Sequence, residues 1–261
     1  MTGATFEFAQ WISVLPVLLV AALLTWLLSL PLRNVALVEP LWSLMLFAAG
    51  VWFAMDSDPR GPRLSPVLWL LAIWSARLAW HLATRNPGQG EPRRHAENRA
   101  RHEPHFAIKS LYLVFLQRAL LAWIVSLPLM GAFASIRALS WLDYAAGLLW
   151  LVGFVIEAGA DWQLRRFAAD GANAEAVMNR GLWRYTRHPN YFGECCIWWG
   201  FYLFALAAGA WWALPGPLLV TGLLLRAAGV APFGQTGGNR RPQYADYVLK
   251  TNAFFPAKPR D

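Results

Sequence analysis

The sequence is poor in charged residues and in cysteine. Charged residues make up only 15% of its 261 residues and hydrophobic residues 57%, whereas soluble domains are about 25% charged. A soluble fold of ordinary composition is therefore excluded. The two cysteines, Cys195 and Cys196, are neighbours; adjacent cysteines rarely form a disulfide, and they lack the spacing of a metal site. We therefore expect a membrane protein that binds no metal.

The chain also lacks the short motifs of common nucleotide-binding and catalytic folds. It contains neither GxGxxG nor GxxxxGK[ST], the glycine-rich loops that cradle phosphates. HExxH and a serine nucleophile elbow are absent as well. The sequence shows no internal repeat or inverted pair of broken helices, which disfavours a transporter. Any nucleotide must therefore be bound without a Rossmann fold.

Long apolar runs dominate what is present. A helix needs about 20 apolar residues to cross a bilayer, and helices are expected because lipid offers the backbone no hydrogen-bond partners. The predicted spans are 11–32, 35–55, 64–84, 108–134, 141–164, 191–210 and 212–228. We predict an all-α polytopic membrane protein with seven transmembrane helices in one membrane domain, 1–261. Four spans fall in 1–134, and three spans plus a tail fall in 135–261.

The basic residues indicate the orientation. Most of them lie in 85–109, in 165–187 and in the tail that follows Arg226, while the opposite side carries only Arg60, Arg63 and Arg137. The positive-inside rule then places the N-terminus outside and the C-terminus in the cytosol. The net charge of +8 is mostly this topology signal. Nucleic-acid binding is disfavoured because the basic residues form no recognition module.

Several ionisable residues lie within the predicted spans, where they are rare and usually functional. Glu39 stands near the start of the second span and Arg77 in the third. Glu157, Asp161 and Arg165 follow at steps of four on one face of the fifth. The alternatives are a solvated Glu39 at headgroup level, an Arg77 that snorkels to the surface, and simple ion pairing along the stripe. We expect the stripe to face a polar cavity.

Two polar segments adjoin these spans. The stretch 181–194, GLWRYTRHPNYFGE, leads into the sixth span, where Pro189 suits a helix start and the free backbone N–H groups suit an anion. The loop 85–107 is rich in arginine. It is either a solvated loop or a clamp for phosphate groups, which arginine binds in a bidentate way.

Taken together, these residues resemble the C-terminal half of the steroid 5α-reductase family, in its bacterial integral-membrane branch. The resemblance lies in Gly181-Leu-Trp-x-Tyr, in Asn190-Tyr-x-Gly-Glu194, in Arg226, in Tyr247 before Phe-Phe-Pro, and in the stripe of the fifth span. It covers 140–258 well and the N-terminal half loosely. It implies a seven-helix membrane enzyme that binds NADPH from the cytosolic side and reduces the carbon–carbon double bond of an enone, typically a 4-ene-3-one steroid.

The resemblance also implies roles for particular residues. Glu39 matches a catalytic glutamate near the substrate carbonyl, and Trp74 stands where the family has a catalytic tyrosine. In the implied reaction, hydride from NADPH reaches the β-carbon, a protonated Glu39 stabilises the oxyanion, and the α-carbon takes a proton from water. The cofactor-binding residues that the resemblance implies are Asp161, Arg165, Asn190, Glu194, Arg226 and Tyr247. We expect the same site to include Arg77, Arg184, His188, Tyr191, Lys250 and Asn252.

The expected partners are an apolar steroid or other enone lipid and membrane lipid, with no nucleic acid and no metal. The expected location is the bacterial inner (cytoplasmic) membrane, with the active site open to the cytosol.

Two rival interpretations remain. Arg187-His-Pro-Asn-Tyr also resembles membrane methyltransferases that modify isoprenylcysteine or phospholipid headgroups with S-adenosylmethionine. Those enzymes carry paired glutamates soon after the last span, whereas here Arg226 is followed by Ala-Ala-Gly-Val-Ala-Pro. A non-enzymatic lipid-binding or assembly protein is the other alternative, and it predicts that the buried charges pair only with each other.

Overall fold

The structure is a computed structural model that describes residues 4–85, 91–173, 175–228 and 242–260. Helices account for 77% of it, and these residues contain no strand. The predicted all-α class is confirmed.

Nine helices are described below by one set of labels. In chain order they are α1 (Phe8–Leu32), α2 (Val38–Asp56), α3 (Leu64–Thr84), α4 (Arg93–His102), α5 (Phe106–Phe133), α6 (Trp141–Ala169), α7 (Pro189–Ala208), α8 (Pro215–Ala227) and α9 (Pro242–Lys250). Helix α1 has a one-residue break at Val14, and α5 contains a π-helical segment, Leu111–Leu116, and a break at Ser126. Short 3₁₀ turns lie at Val35–Leu37, Gly171–Asn173, Gly181–Arg184 and Trp211–Ala213.

Within the described residues, six helices are long and apolar enough to cross a membrane: α1, α2 with its preceding turn, α3, α5, α6 and α7. They coincide with the first six predicted spans. Their outward faces carry large apolar side chains such as Leu24 (60% exposed), Trp69 (68%) and Leu148 (63%). Apolar exposure on this scale is expected of a surface that faces lipid rather than water.

The seventh predicted span, 212–228, is not found as a long helix. Its helical part, α8, has 13 residues, or about 20 Å at 1.5 Å per residue, against a hydrocarbon core of about 30 Å. The rest of the apolar run forms the turn Trp211–Ala213 and the bend before Pro215. Seven spans, and the orientation drawn from them, therefore stay predictions.

The chain packs as two compact units, which are described separately. Unit 1 comprises Met1–Ser140 and Phe204–Gly216; unit 2 comprises Trp141–Leu203 and Pro217–Asp261.

In unit 1, a reciprocal pair of hydrogen bonds joins α2 to α3. Ser75 Oγ donates to the Ser43 carbonyl at 2.7 Å, and Ser43 Oγ donates to the Ser75 carbonyl at 3.2 Å. Both serines are almost fully buried. This pair fixes the register of two helices that carry predicted catalytic residues: Glu39 lies one turn before Ser43, and Trp74 adjoins Ser75.

In unit 2, glycines let α6 and α7 approach closely. A Cβ at Gly193 would lie 2.6 Å from the Glu157 backbone nitrogen, and one at Gly153 would lie 2.6 Å from the Gly193 carbonyl oxygen. Contact this close requires the absence of side chains at both positions. It brings the middle of α6 against the start of α7, next to the polar residues of unit 2.

Candidate functional site

Glu39 is the centre of the polar cluster of unit 1. It lies in the first turn of α2 and is only 9% exposed, so its side chain is packed within the protein rather than solvated. Its Oε2 accepts from Arg85 Nη2 at 2.6 Å, and its Oε1 contacts His95 Nε2 at 2.9 Å. Both carboxylate oxygens thus act as acceptors toward basic groups. This arrangement differs from the predicted protonated Glu39 that donates to a substrate oxygen.

The segment that carries His95 is fastened to the start of α2. Glu91 accepts from the Val35 backbone N–H at 3.0 Å, and Arg99 binds both Glu91 oxygens, at 2.9 and 3.0 Å. Arg99 also lies over the Phe106 ring, 4.7 Å from its centroid. Burial raises the pKa of Glu91, but the Arg99 bonds and charge and the Val35 N–H outweigh it and leave that pKa below its ordinary value.

The Glu91–Arg99 clamp and His95 are packed against the protein, whereas Arg101 and His105 are exposed, so the described part of the 85–107 loop is partly packed and partly solvated. Residues 86–90 and the side chains of Arg93 and Arg94, to which the predicted phosphate clamp also extends, lie outside the described residues.

Two further predicted residues of unit 1 lie on α3. Trp74 is fully buried, and Arg77 is half-buried one turn later. Arg77 therefore belongs to the unit of Glu39, whereas the other predicted cofactor-binding residues belong to unit 2.

In unit 2 the structure joins Asp161 of α6 to Asn190 of α7. Asn190 Nδ2 donates to Asp161 Oδ1 at 3.2 Å, and Asp161 is 5% exposed. Among the described residues, the amide oxygen of Asn190 is buried and has no hydrogen-bond partner, and neither has Nε of Arg187. Buried polar atoms in native proteins are nearly always satisfied. One acceptor and one donor are thus available to a polar ligand.

His188 is held against the C-terminal tail. Its Nδ1 lies 3.0 Å from the Ala253 carbonyl oxygen, and its ring stacks on Tyr191 at 5.2 Å between centroids. Because a carbonyl only accepts, Nδ1 carries the proton. Burial lowers the pKa of His188, as does the Arg187 charge, against the opposing effect of the Ala253 bond. His188 therefore favours its neutral form.

Further bonds fasten the tail to the 183–188 segment. The Tyr247 hydroxyl donates to the Trp183 carbonyl at 2.5 Å, the Arg187 N–H to Asn252 O at 2.8 Å, and the Ala257 N–H to Tyr185 O at 3.0 Å. Tyr247 is 7% exposed, and burial raises its pKa well above the usual range. The Tyr247 hydroxyl, predicted to serve a cofactor, is thus engaged with the backbone.

The remaining predicted residues of unit 2 are more open to solvent. Glu194 is half-buried in the second turn of α7. Lys250 pairs with Asp246 at 3.5 Å, and the Asn252 amide contacts Phe255 O and Arg260. Three arginines are exposed, Arg165 and Arg226 toward the ends of α6 and α8, and Arg184 in the turn between α6 and α7.

Comparison with known proteins places the chain in a family. Residues 25–251 match the family model described as protein of unknown function, DUF1295. The chain belongs to this family. The family is related to steroid 5α-reductases, and the matched segment contains every predicted site residue except Asn252.

Individual relatives agree with this assignment. An uncharacterized protein of Schizosaccharomyces pombe is 24% identical over 266 residues, covering 88% of this chain and 75% of the relative. The 3-oxo-5-alpha-steroid 4-dehydrogenase 1 proteins of Mus musculus and Rattus norvegicus are each 41% identical over 68 residues. That match covers 26% of this chain and about a quarter, 24%, of each relative. No solved structure matches the chain.

The DUF1295 chain also contains functional candidates that the sequence did not single out. Arg85 and His95 contact Glu39, although 46 and 56 residues separate them from it. No local spacing links them, and the only signal was that Glu39 and the loop adjoin the same predicted side of the membrane. Within the described residues, no group of three metal-ligating side chains is placed to hold a metal ion.

Proposed function

We propose that this protein is a membrane oxidoreductase that uses NADPH to reduce the carbon–carbon double bond of an enone such as a 4-ene-3-one steroid. The observation that carries the proposal is the buried Glu39 with its basic partners Arg85 and His95. Ionisable groups at the edge of a membrane span are costly and usually functional. The short similarity to proteins named 3-oxo-5-alpha-steroid 4-dehydrogenase supports the same substrate class.

The residues of unit 2 fit a nucleotide cofactor. The buried Asn190 oxygen accepts and the Arg187 Nε donates, and both lack partners among the described residues. A carboxamide or a ribose hydroxyl would satisfy such atoms. The exposed Arg165, Arg184 and Arg226 suit phosphate groups, which arginine binds through two parallel hydrogen bonds. When bound, NADPH supplies the hydride.

The residues of unit 1 fit the carbonyl end of an enone. When the β-carbon receives hydride, negative charge develops on the carbonyl oxygen, and a donor placed there lowers the barrier. Arg85 and His95 are the basic groups that the described structure gathers at Glu39. A sterol-sized substrate would need an apolar pocket with few polar groups, and these three side chains would supply the polar groups.

The structure offers an explanation of the Arg187-His188-Pro189 element that needs no S-adenosylmethionine. His188 Nδ1 is bonded to Ala253, and the element anchors the tail. The non-enzymatic alternative is consistent with the ion pairs of Glu39 with Arg85 and His95. It does not explain why the buried amide oxygen of Asn190 has no hydrogen-bond partner among the described residues.

The test uses the full-length protein in nanodiscs. Tryptophan fluorescence titrations with NADPH and with S-adenosylmethionine identify the cofactor. NADPH oxidation that depends on progesterone or testosterone, with a product two hydrogens heavier by mass spectrometry, supports the reductase. A fluorescence response to S-adenosylmethionine alone refutes it. Reporter fusions at both termini test the proposed placement of the C-terminus in the cytosol of a bacterial inner membrane.

A further inference from the structure

We propose that His95 is the catalytic acid that protonates the substrate carbonyl oxygen, and that Glu39 positions it. This inference rests on the proposed enone reduction, and it assigns the acid that the sequence left open when Trp74 occupied the expected tyrosine position. It begins from the 2.9 Å contact between His95 Nε2 and Glu39 Oε1.

The hydrogen bonds around Glu39 set the orientation of the histidine ring. Arg85 lies 2.6 Å from Oε2 and stabilises the carboxylate form of Glu39. A carboxylate only accepts, so Nε2 of His95 carries a proton and donates it. Nδ1 then lies on the side of the ring that faces away from Glu39. The side chain is 11% exposed, so the ring is shielded from bulk water without being closed off.

The backbone around His95 is fixed as firmly as its ring. The His95 N–H donates to the Pro92 carbonyl at 2.8 Å in the first turn of α4. Glu91 and Arg99, four residues before and after His95, form the clamp that fastens α4 to the start of α2. A catalytic group held on a rigid, supported element keeps its geometry through the reaction.

The neighbouring groups are poorer acids. Arg85 remains protonated in proteins and stabilises charge without giving up its proton. Trp74 is an indole that donates hydrogen bonds but does not ionise, and it is fully buried. Glu39 uses both oxygens as acceptors. Both nitrogens of a histidine ring can carry a proton, so with Nε2–H bonded to Glu39 the second nitrogen of His95 can act as the proton donor.

The step balances as follows. Hydride adds to the β-carbon, the alkene π pair moves to the bond between the α-carbon and the carbonyl carbon, and the carbonyl π pair moves to oxygen. That oxygen takes the proton from Nδ1 of the His95 imidazolium and forms an enol. The Nε2–H of His95 keeps its proton and stays hydrogen-bonded to Glu39. The α-carbon then takes a proton from water, and the enol proton returns to Nδ1. One hydride and one solvent proton are consumed for each double bond.

Four variants test this assignment: His95→Gln, His95→Ala, Glu39→Gln, and His102→Ala as the matched control. His102 lies at the end of the same helix, with its ring bonded to the Asn98 carbonyl at 2.8 Å. Positioned acids contribute about 10²- to 10⁴-fold, so His95→Gln should lower kcat by about 100-fold or more with NADPH affinity unchanged. Imidazole should restore part of the kcat of His95→Ala and leave that of Glu39→Gln unchanged.

A binding readout keeps the assignment separate from turnover. Ultraviolet absorbance of bound progesterone, measured without NADPH, should show a red shift in wild type because a cationic donor polarises the enone. The shift should shrink in His95→Gln and Glu39→Gln and persist in His102→Ala. A His95→Gln protein that keeps the shift, or keeps kcat within about threefold of wild type, overturns the role of His95. A wild-type protein that binds no enone and oxidises no NADPH overturns the proposed function instead.

Discussion

The change Tyr247→Phe tests whether the Tyr247 hydroxyl anchors the C-terminal tail or binds a cofactor. In the structure the hydroxyl donates to the Trp183 carbonyl at 2.5 Å in a buried position. Phenylalanine keeps the ring and leaves that carbonyl without its donor. Leaving a buried acceptor unsatisfied costs about 1–3 kcal/mol. We expect the tail to open more easily by about 1–2 kcal/mol, or about 5- to 30-fold in its opening equilibrium.

Hydrogen exchange measures this opening locally. The Arg187 and Ala257 amides donate across the contact between the tail and the 185–188 segment, at 2.8 and 3.0 Å, so they report its opening. In Tyr247→Phe both amides should exchange about 5- to 30-fold faster. The matched control is Tyr244→Phe, half-buried on the same helix with its ring 6.3 Å from that of Tyr247; it should change exchange by less than about threefold. Equal effects of the two variants, or no effect of Tyr247→Phe, would refute this account of the tail.

Three further predictions concern other parts of the fold. Because the pKa of Glu91 is lowered in the folded state, its contribution is complete above the unfolded value of about 4.3 and is lost as the pH falls through the lowered pKa. The amides of α4 should thus lose protection as the pH falls below about 4.3, whereas in Glu91→Gln protection is low at every pH. A pH response that persists in the variant contradicts the clamp. Gly193→Ala should lower the free energy of unfolding by about 1–3 kcal/mol, because the added Cβ would lie 2.6 Å from the backbone of α6. The control Gly222→Ala, where a Cβ would have nothing within 4 Å, should be neutral. Similar melting temperatures of the two variants in detergent would contradict the close packing of α6 and α7. Asn190→Ala should weaken NADPH binding by about tenfold, the equivalent of about 1.4 kcal/mol, and an unchanged Kd from fluorescence titration would remove Asn190 from the cofactor site.

Hydropathy predicts the membrane helices of this protein well, because the need to bury about 20 apolar residues acts locally. The sixth predicted span, 191–210, is shifted by only two residues from α7 at Pro189–Ala208. The seventh, 212–228, stays a prediction, because the described part of that apolar run is interrupted at Pro215. Pro215 starts a new helix, since proline lacks the N–H that a continuing helix would use. The apolar run is continuous, but the helix is not.

The residues of the candidate site were likewise predicted only in part. Asp161 and Asn190 were both predicted as cofactor residues, and the structure bonds them. Glu39 was predicted as a functional residue because a charged side chain within a membrane span is unusual. His95 was missed because its place depends on the Glu91–Arg99 clamp and on a contact 56 residues away in the chain. Tertiary contacts of that range leave no periodic trace in the sequence.

The reciprocal bonds between Ser43 and Ser75 have a consequence for motion in unit 1. A slide of α2 along α3 by one turn, about 5.4 Å, would break both bonds at once and leave their polar groups in an apolar interior. We therefore expect the two helices to move as one body. A separation of α4 from the start of α2 would instead break two contacts of a different kind, the bond from the Val35 N–H to Glu91 and the contact of His95 with Glu39.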